Sequence, residues 1–186
     1  MTAVFLSGSR KITKLNSDIR ERLENVINRG MPVVIGDAYG SDKAMQAFLA
    51  EKKYSNVEVF FAGSTCRNNL GSWSAEQILV DPKLKGRAIH TEKDKAMAAK
   101  ATYGFVLWDG KSAGSMTNVC ELLGRNKSSL IYLSPLKAFF EVKSVEGLRE
   151  LLNSCDPEDV RELENSPILK QQMCDLGIAN QQRFDL

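Results

Sequence analysis

The sequence predicts an α/β protein with a Rossmann-like parallel sheet of about five strands, helices on both faces, and a small C-terminal helical appendage. Two observations predict this fold. Short apolar runs alternate with segments of helical periodicity through the first 135 residues, and a glycine follows nearly every apolar run. Strands that are apolar throughout are typical of a parallel sheet that helices cover on both faces. The length of 186 residues suits one core with a small addition.

The predicted elements follow the hydrophobic pattern in chain order. The strands are apolar runs of four to six residues, at 3–6, 32–35, 57–62, 103–108 and 130–133. Helices are predicted where apolar residues recur at spacings of three and four, around residues 15–27, 44–48, 92–101 and 115–124. Residues 63–89 have no clear period, so we predict a long loop there. Loops of that length in compact domains are often functional or disordered.

In the last fifty residues the alternation of strands and helices gives way to a mainly helical pattern. We therefore divide the chain into a Rossmann-like domain at residues 1–135 and a helical extension at residues 136–186, packed on the same domain. Residues 139–142 are a candidate sixth strand. Asp156-Pro157 and Ser166-Pro167 predict two helix starts, because proline is favoured at the first helical position. Bracing the core, oligomerisation and partner binding are the candidate roles of the extension.

Composition excludes several classes of function. The formal net charge is only +2, whereas a domain that holds DNA by charge alone has a clear basic excess. The single histidine, His90, rules out a multi-histidine metal site, and the four cysteines form no CxxC pair. The N-terminal apolar run is too short for a signal peptide, and no run approaches the ~20 apolar residues of a membrane span. We expect a cytoplasmic protein with reduced thiols, no metal, no cofactor and no membrane partner.

Three glycine-containing loops follow predicted strands and lead into helices. They are Gly8-Ser9-Arg10, Gly36-Asp37-Ala38-Tyr39-Gly40-Ser41-Asp42 and Asp109-Gly110-Lys111-Ser112-Ala113-Gly114-Ser115. In a parallel sheet these loops meet at the carboxyl edge, where ligands bind. Glycines let backbone N–H groups approach an anion, and Arg10 is suited to phosphate or carboxylate. Asp42 is placed to cap a helix or to bind a ribose hydroxyl. Each loop by itself is also compatible with an ordinary turn, and none is a Walker A or GxGxxG motif.

The predicted long loop contains a further candidate segment, Arg67-Asn68-Asn69-Leu70-Gly71-Ser72-Trp73. Arg67 can bind a phosphate, the asparagines offer amide hydrogen bonds to a base or sugar, and Trp73 can stack on a ring. The alternative is a surface loop held by a half-buried tryptophan. Elsewhere, we interpret Trp108 as a core residue and His90 as an exposed or capping residue near a helix start.

The glycine loops resemble those of the SLOG superfamily, which includes LOG phosphoribohydrolases, the DNA-processing protein DprA and YspA- and YpsA-type proteins. The resemblance covers about residues 3–134. It rests on Gly8-Ser9-Arg10 after the first strand, on Gly36-x-Ala38-x-Gly40-x-Asp42 after the second, and on Gly114-Ser115 after the fourth. Arg67-Asn68 is also similar to a pair in the YspA-type group. The resemblance implies a Rossmann-like fold whose glycine loops hold nucleotides or nucleotide-derived ligands.

A second resemblance is to the nucleoside 2-deoxyribosyltransferases. It rests on Lys93-Asp94 before an alanine-rich helix, on Ala101-Thr102-Tyr103, on Leu107-Trp108-Asp109-Gly110 and on Gly114-Ser115. Those enzymes, like the LOG enzymes, place a catalytic glutamate four residues after a loop glycine, but that position here is Asn118. An amide can neither attack an anomeric carbon as a carboxylate does nor stabilise an oxocarbenium ion by charge. Glu121, one helical turn further along, is a displaced candidate.

Two main functional hypotheses follow. In the first, the chain is a homo-oligomeric binding module or sensor for a nucleotide or nucleotide-derived small molecule. Its candidate ligand-binding residues are Gly8, Ser9, Arg10, Gly36, Asp37, Gly40, Asp42, Arg67, Asn68, Asn69, Trp73, Asp109, Gly110, Gly114, Ser115 and Asn118. In the second, it cleaves an N-glycosidic bond, and Asp94, Asp109 or Glu121 supplies the carboxylate. Nucleic-acid binding is a third hypothesis, which the low net charge disfavours.

Overall fold

The computed structural model describes residues 2–178, which form one seven-stranded sheet flanked by seven helices. The strands are β1 (Val4–Gly8), β2 (Val33–Gly36), β3 (Val57–Ala62), β4 (Ser74–Ile78), β5 (Tyr103–Trp108), β6 (Ser129–Leu133) and β7 (Ala138–Val142). The helices are α1 (Ser17–Asn28), α2 (Ser41–Glu51), α3 (Arg87–Lys100), α4 (Ala113–Gly124), α5 (Val145–Asn153), α6 (Pro157–Leu163) and α7 (Pro167–Asp175). The sheet order is β4-β3-β2-β1-β5-β6-β7, and only the β6–β7 pair is antiparallel.

Helices cover both faces of the sheet, as the apolar strands predict. Because successive side chains of a strand point to opposite faces, the central strand β1 contributes to two cores. Val4 and Leu6 pack with Leu23 of α1 and with residues of α2 on one face. Phe5 packs on the other face, with residues of α3 and α4. The α/β architecture with a mostly parallel sheet is therefore confirmed.

The direction in which successive strands are added to the sheet reverses between its central strands β1 and β5. From β1 the chain builds outward through β2, β3 and β4, and it then returns through α3 to β5 on the other side of β1. The register pairs Gly8 with Leu107, so the loops that follow the two strands start side by side. A crevice at the carboxyl ends of two such strands is where open α/β sheets bind ligands.

The strand count differs from the prediction of about five, because β4 and β7 extend the sheet to seven. β4 lies inside the segment predicted as a long loop. Residues 74–77 of this edge strand are exposed, so they carry no apolar pattern, and backbone pairing with β3 holds the strand in place. α3 begins at Arg87, earlier than predicted. Its first turns face a polar cavity instead of the core, so the apolar pattern from which the helix is predicted starts only later.

The C-terminal segment adds β7 and three helices to the sheet. Both predicted helix starts are confirmed: Asp156 and Ser166 cap α6 and α7, and each helix has proline at its beginning. Leucines of α5, α6 and α7 pack with Met116 and Val119 of α4. Residues 179–186 of the predicted extension lie outside the described residues. None of the helices in residues 2–178 combines the length and the apolar character that a membrane crossing requires.

Candidate ligand-binding site

A cavity of about 580 Å³ lies at the carboxyl edge of the sheet, at the point where the order reverses between β1 and β5. Its walls come from the end of β1, the β2–α2 loop, the first turns of α3, the β5–α4 loop and the start of α4. This volume lies within the range of ~300–1,000 Å³ that is typical of small-molecule sites. The glycine loops predicted to share one edge of the sheet therefore border one cavity.

The β1 loop is held in place by hydrogen bonds to both neighbouring loops. The Ser9 N–H donates to the Leu107 carbonyl oxygen over 2.8 Å, and the Ser9 hydroxyl donates to Asp109 Oδ2 over 2.9 Å. On the other side, the Ser41 hydroxyl donates to the Ser9 carbonyl oxygen over 2.7 Å. Gly8 is required here, because a Cβ at this position would overlap the carbonyl oxygen of Leu107. These bonds fix Arg10 beside the cavity.

The β5–α4 loop presents the start of α4 to the cavity. Asp109 Oδ1 accepts a hydrogen bond from the Ser112 N–H over 2.8 Å, and the Ser112 side chain caps the helix by accepting from Ser115 N. The guanidinium of Arg87 lies over Gly114, where a Cβ would come within 2.6 Å of Arg87 Nη2. A helix N-terminus and a guanidinium together favour an anion.

A cluster of buried charges borders the cavity beneath the β2–α2 loop. Arg67 donates to Asp37 through Nε over 2.8 Å and through Nη2 over 2.6 Å. Lys93 Nζ lies 3.7 Å from Asp37 Oδ1 and 3.5 Å from Asp94 Oδ1. Burial would raise the pKa of Asp37, but hydrogen bonds from Arg67 and the charge of Lys93 outweigh burial and hold it below its ordinary value. Gly36 leaves room for this cluster, since a Cβ there would lie 2.5 Å from Lys93 Nζ.

Two further carboxyl groups of the cavity have raised pKa values. Burial raises the pKa of Asp42 to about 6, although the Lys93 charge partly offsets this effect. Burial also raises the pKa of Asp94, against the attraction of Lys93. The pKa of His90 is lowered by burial and by the nearby charges of Arg67 and Lys93, so its ring is neutral at pH 7. Titratable groups with shifted pKa values in a cleft are typical of functional sites.

Three buried polar atoms bordering the cavity have no hydrogen-bond partner among residues 2–178. They are Ser7 Oγ, His90 Nδ1 and Asn118 Oδ1. Ser7 is 4% exposed and Asn118 is 5% exposed. An unsatisfied buried polar group costs about 1–3 kcal/mol. A ligand that hydrogen-bonds to these atoms would recover that cost.

Most predicted site residues lie at or directly behind the cavity. Those that line it are Gly8, Ser9, Arg10, Asp42, Arg67, Asp94, Asp109, Gly114, Ser115 and Asn118. Behind them, Gly36 and Asp37 border the charge cluster, Gly40 packs on the Arg10 backbone, and Asn68 donates to the Asp37 carbonyl oxygen.

Four other predicted site residues do not line the cavity. Glu121 accepts a hydrogen bond from Arg125 over 2.8 Å and one from Gln172 of α7 over 3.2 Å. The Trp73 indole donates to the Tyr54 carbonyl oxygen over 2.8 Å, its ring packs on the core, and Asn69 bonds its backbone. Gly110 forms the turn after β5 with φ +80°. Trp108 is fully buried, as interpreted from the sequence.

Helix α3 supplies the part of the cavity that sequence reasoning missed. Arg87 is not among the predicted site residues, and Lys93 is named only in the resemblance to the deoxyribosyltransferases. His90 is interpreted from the sequence as an exposed or capping residue. That interpretation of His90 is wrong: it lies inside α3, half-buried, and lines the cavity. The pattern that could have revealed this wall is the spacing of Arg87, His90, Thr91, Asp94 and Met97, which places all five on one face of a helix. The remaining lining residues not predicted are Ser7, Lys11, Ala38, Gly86, Lys111 and Ser112.

Comparison with known proteins supports the fold. No protein-family model matches the sequence, and no curated protein matches it. The fold is similar to a solved structure of DNA processing protein A from Helicobacter pylori, with a TM-score of 0.56 and 13% sequence identity over 94% of this chain and 81% of that chain. That structure concerns how its protein binds single-stranded DNA. The similarity supports the DprA side of the predicted resemblance at the level of fold, and none of these comparisons supports the deoxyribosyltransferases.

Proposed function

We propose that this chain binds a nucleotide in the cavity at the carboxyl edge of its sheet. The observation that carries the proposal is the combination, in one cavity, of cations at the rim with the buried Ser7 Oγ and Asn118 Oδ1, which lack partners in residues 2–178. A ligand that suits both features has an anionic group at one end and hydrogen-bonding groups at the other. A phosphorylated nucleoside has this form.

The cationic side of the cavity suits a phosphate group. Arg10, Lys11 and Arg87 line it, and none of them forms an ion pair with a carboxylate of residues 2–178. Arg87 lies beside the first turn of α4, whose N–H groups have no partners within the helix. A phosphate at this place would receive charge-assisted hydrogen bonds and the favourable end of the helix dipole.

The remainder of the cavity suits a sugar and a base. Asn118 Oδ1 can accept a hydrogen bond from a sugar hydroxyl or a base N–H, and Ser7 Oγ can both donate and accept. Asp94 and Asp109 also line the cavity and offer carboxylate oxygens to hydroxyl groups. Inorganic phosphate alone would leave most of the 580 Å³ unfilled and these atoms unsatisfied.

Calorimetry of the purified protein with a panel of nucleotides, nucleosides and inorganic phosphate tests this proposal. We expect at least one nucleoside monophosphate to bind more tightly than its nucleoside and more tightly than phosphate. Arg87→Ala should weaken nucleotide binding about 10- to 140-fold, the equivalent of a hydrogen bond to a charged group at about 1.5–3 kcal/mol, and leave nucleoside binding unchanged. Arg29→Ala, an exposed arginine at the end of α1, is the matched control. Absence of nucleotide binding across the panel would refute the proposal.

Single-stranded nucleic acid is a second candidate ligand of the same edge. The fold similarity to a protein whose structure concerns single-stranded DNA binding favours it, as do the exposed cations Arg10, Lys11 and Arg87. If three cations contact phosphates, log Kd against log salt concentration should change with a slope of about 2 in magnitude. An affinity that does not depend on salt would contradict this candidate.

Glycosidic cleavage has less support from the site. Asn118 lines the cavity at the position where the resembled enzymes have a glutamate, and the displaced candidate Glu121 is bonded to Arg125 and Gln172 instead. The carboxyl groups that remain at the cavity are Asp42, Asp94 and Asp109. This alternative would be supported if the purified protein released free base from nucleotides and if Asp94→Asn or Asp109→Asn abolished that release.

A further inference from the structure

We propose that the nucleotide in the cavity belongs to a single strand, and that the base of the adjoining nucleotide stacks on Tyr39 at the cavity mouth. This inference rests on the proposed nucleotide-binding function and names its ligand more narrowly. It concerns a residue outside the cavity, so its failure can be separated from failure of the cavity to bind a nucleotide.

Tyr39 is the most exposed aromatic residue of the part of the chain that the structure describes. It is 59% exposed, whereas the other tyrosine, phenylalanine and tryptophan residues of 2–178 are buried or half-buried. An exposed ring on a protein surface offers a π-face to a nucleobase. Base–aromatic stacking tolerates any sequence, because every base has such a face.

The β2–α2 loop holds Tyr39 next to the cavity. The preceding residue, Ala38, lines the cavity, and its N–H donates to Asp42 Oδ2 over 3.3 Å. The following residue, Gly40, has φ +80° and packs so closely on the Arg10 backbone that a Cβ would overlap it. The backbone on both sides of Tyr39 is thus fixed, so stacking of a base would have to order only the side chain, at a small cost in conformational entropy.

Positive charge surrounds this ring. Lys43 Nζ lies over one face of the Tyr39 ring, 5.7 Å from its centre, so a base would stack on the opposite face. Arg10 and Lys11 lie at the adjacent cavity rim. Lys43 has no carboxylate partner within residues 2–178, so its ammonium is available to a phosphate that joins two nucleotides.

The size of the cavity places the rest of a strand outside it. A volume of about 580 Å³ suits one drug-sized ligand such as a single nucleotide. The next nucleotide of a strand would therefore lie beyond the mouth, where Tyr39 and Lys43 are found. An aromatic platform together with cations that follow the backbone is how proteins bind single strands without sequence preference.

The test compares mononucleotides with short strands on the full chain and on two variants. The probes are the 5′-monophosphates of deoxyadenosine, deoxycytidine and thymidine, and the single-stranded dinucleotides and hexanucleotides of the same three. Stacking of about 1–3 kcal/mol per base corresponds to about 5- to 140-fold in affinity, so we expect dinucleotides to bind tighter than mononucleotides by a factor in that range. Tyr39→Ala should remove this gain and leave mononucleotide affinity within about twofold, whereas Tyr39→Phe should retain it.

Each other outcome overturns a defined part of the inference. If mononucleotides bind but dinucleotides and hexanucleotides bind no tighter, or if Tyr39→Ala leaves strand affinity unchanged, the strand inference is wrong and the proposed function stands. If Tyr39→Ala weakens mononucleotides and strands equally, Tyr39 contacts the nucleotide in the cavity, and the strand inference is again wrong. If neither class of probe binds, the proposed function fails, and the inference fails with it.

Discussion

The stability of the Asp42→Asn variant, relative to that of the original chain, should be higher at neutral pH than at acidic pH. Asp42 lies in the first turn of α2 and is 6% exposed. Lys93, whose charge lowers the pKa of Asp42, already lies within 4 Å of Asp37 and Asp94, so one buried ammonium serves three carboxyl groups. Burial therefore raises the pKa of Asp42 from 3.8 to about 6.

The size of the effect follows from this pKa. Between about pH 4 and pH 6 the folded state retains a proton that the unfolded chain has released, so the free energy of unfolding falls as the pH rises through this window. At about 1.4 kcal/mol per tenfold change in proton affinity, the full loss above pH 6 is about 3 kcal/mol. The side-chain amide that Asp42→Asn introduces cannot ionise, so the variant does not lose this stability.

Urea unfolding of both proteins between pH 4 and pH 8, followed by circular dichroism, measures the effect. The free energy of unfolding of Asp42→Asn, minus that of the original chain, should increase by about 3 kcal/mol from pH 4 to pH 7. Glu51→Gln removes an exposed carboxylate from the same helix and is the matched control. A difference for Asp42→Asn that stays constant across this pH range would refute the reasoning, because it would mean that the buried carboxyl group has no raised pKa.

Three other substitutions test the remaining features of the site. Asp37→Asn leaves Arg67 and Lys93 without their shared carboxylate and should lower the free energy of unfolding in urea at pH 7 by about 3–5 kcal/mol; a loss below about 1 kcal/mol would contradict a buried ion pair. Gly114→Ala displaces only the flexible end of Arg87, so calorimetry should show weaker nucleotide binding while the melting temperature is unchanged or higher; a large loss of stability would count against the described packing. Asn118→Leu removes an unsatisfied buried oxygen and should raise stability by about 1 kcal/mol while it weakens nucleotide binding at least tenfold; unchanged binding would mean that Asn118 does not contact the ligand.

Much of the fold was predictable because the relevant interactions are local. The strand β5 is a continuous apolar run, and capping by Asp156 and Ser166 with an adjacent proline determines where α6 and α7 begin. β4 was not predictable in this way. Its exposed residues carry no apolar pattern, and its position depends on backbone pairing with β3 after the chain has folded.

The glycine loops of the candidate site were predictable, whereas most of its α3 wall was not. The glycine loops could be assigned to one edge, because parallel strands bring their carboxyl ends together. The direction in which Asn118 and Glu121 point depends on how α4 is rotated against its neighbours. A step of three residues turns a helical side chain by about 60° from its starting direction, and this turn carries Glu121 from the cavity toward Gln172 of α7.

The sequence by itself therefore determined the alternation of strands and helices and the sheet edge that carries the glycine loops, since hydrophobic periodicity and turn chemistry act between neighbours in the chain. Only the tertiary structure decided what that edge contains. It brings Arg87, His90 and Lys93 of α3 to the cavity, buries a cluster of carboxyl groups around one lysine, and leaves Asn118 without a partner among the described residues. These features arise from packing between segments far apart in sequence, where burial and distance set the charge and the hydrogen bonding of each group.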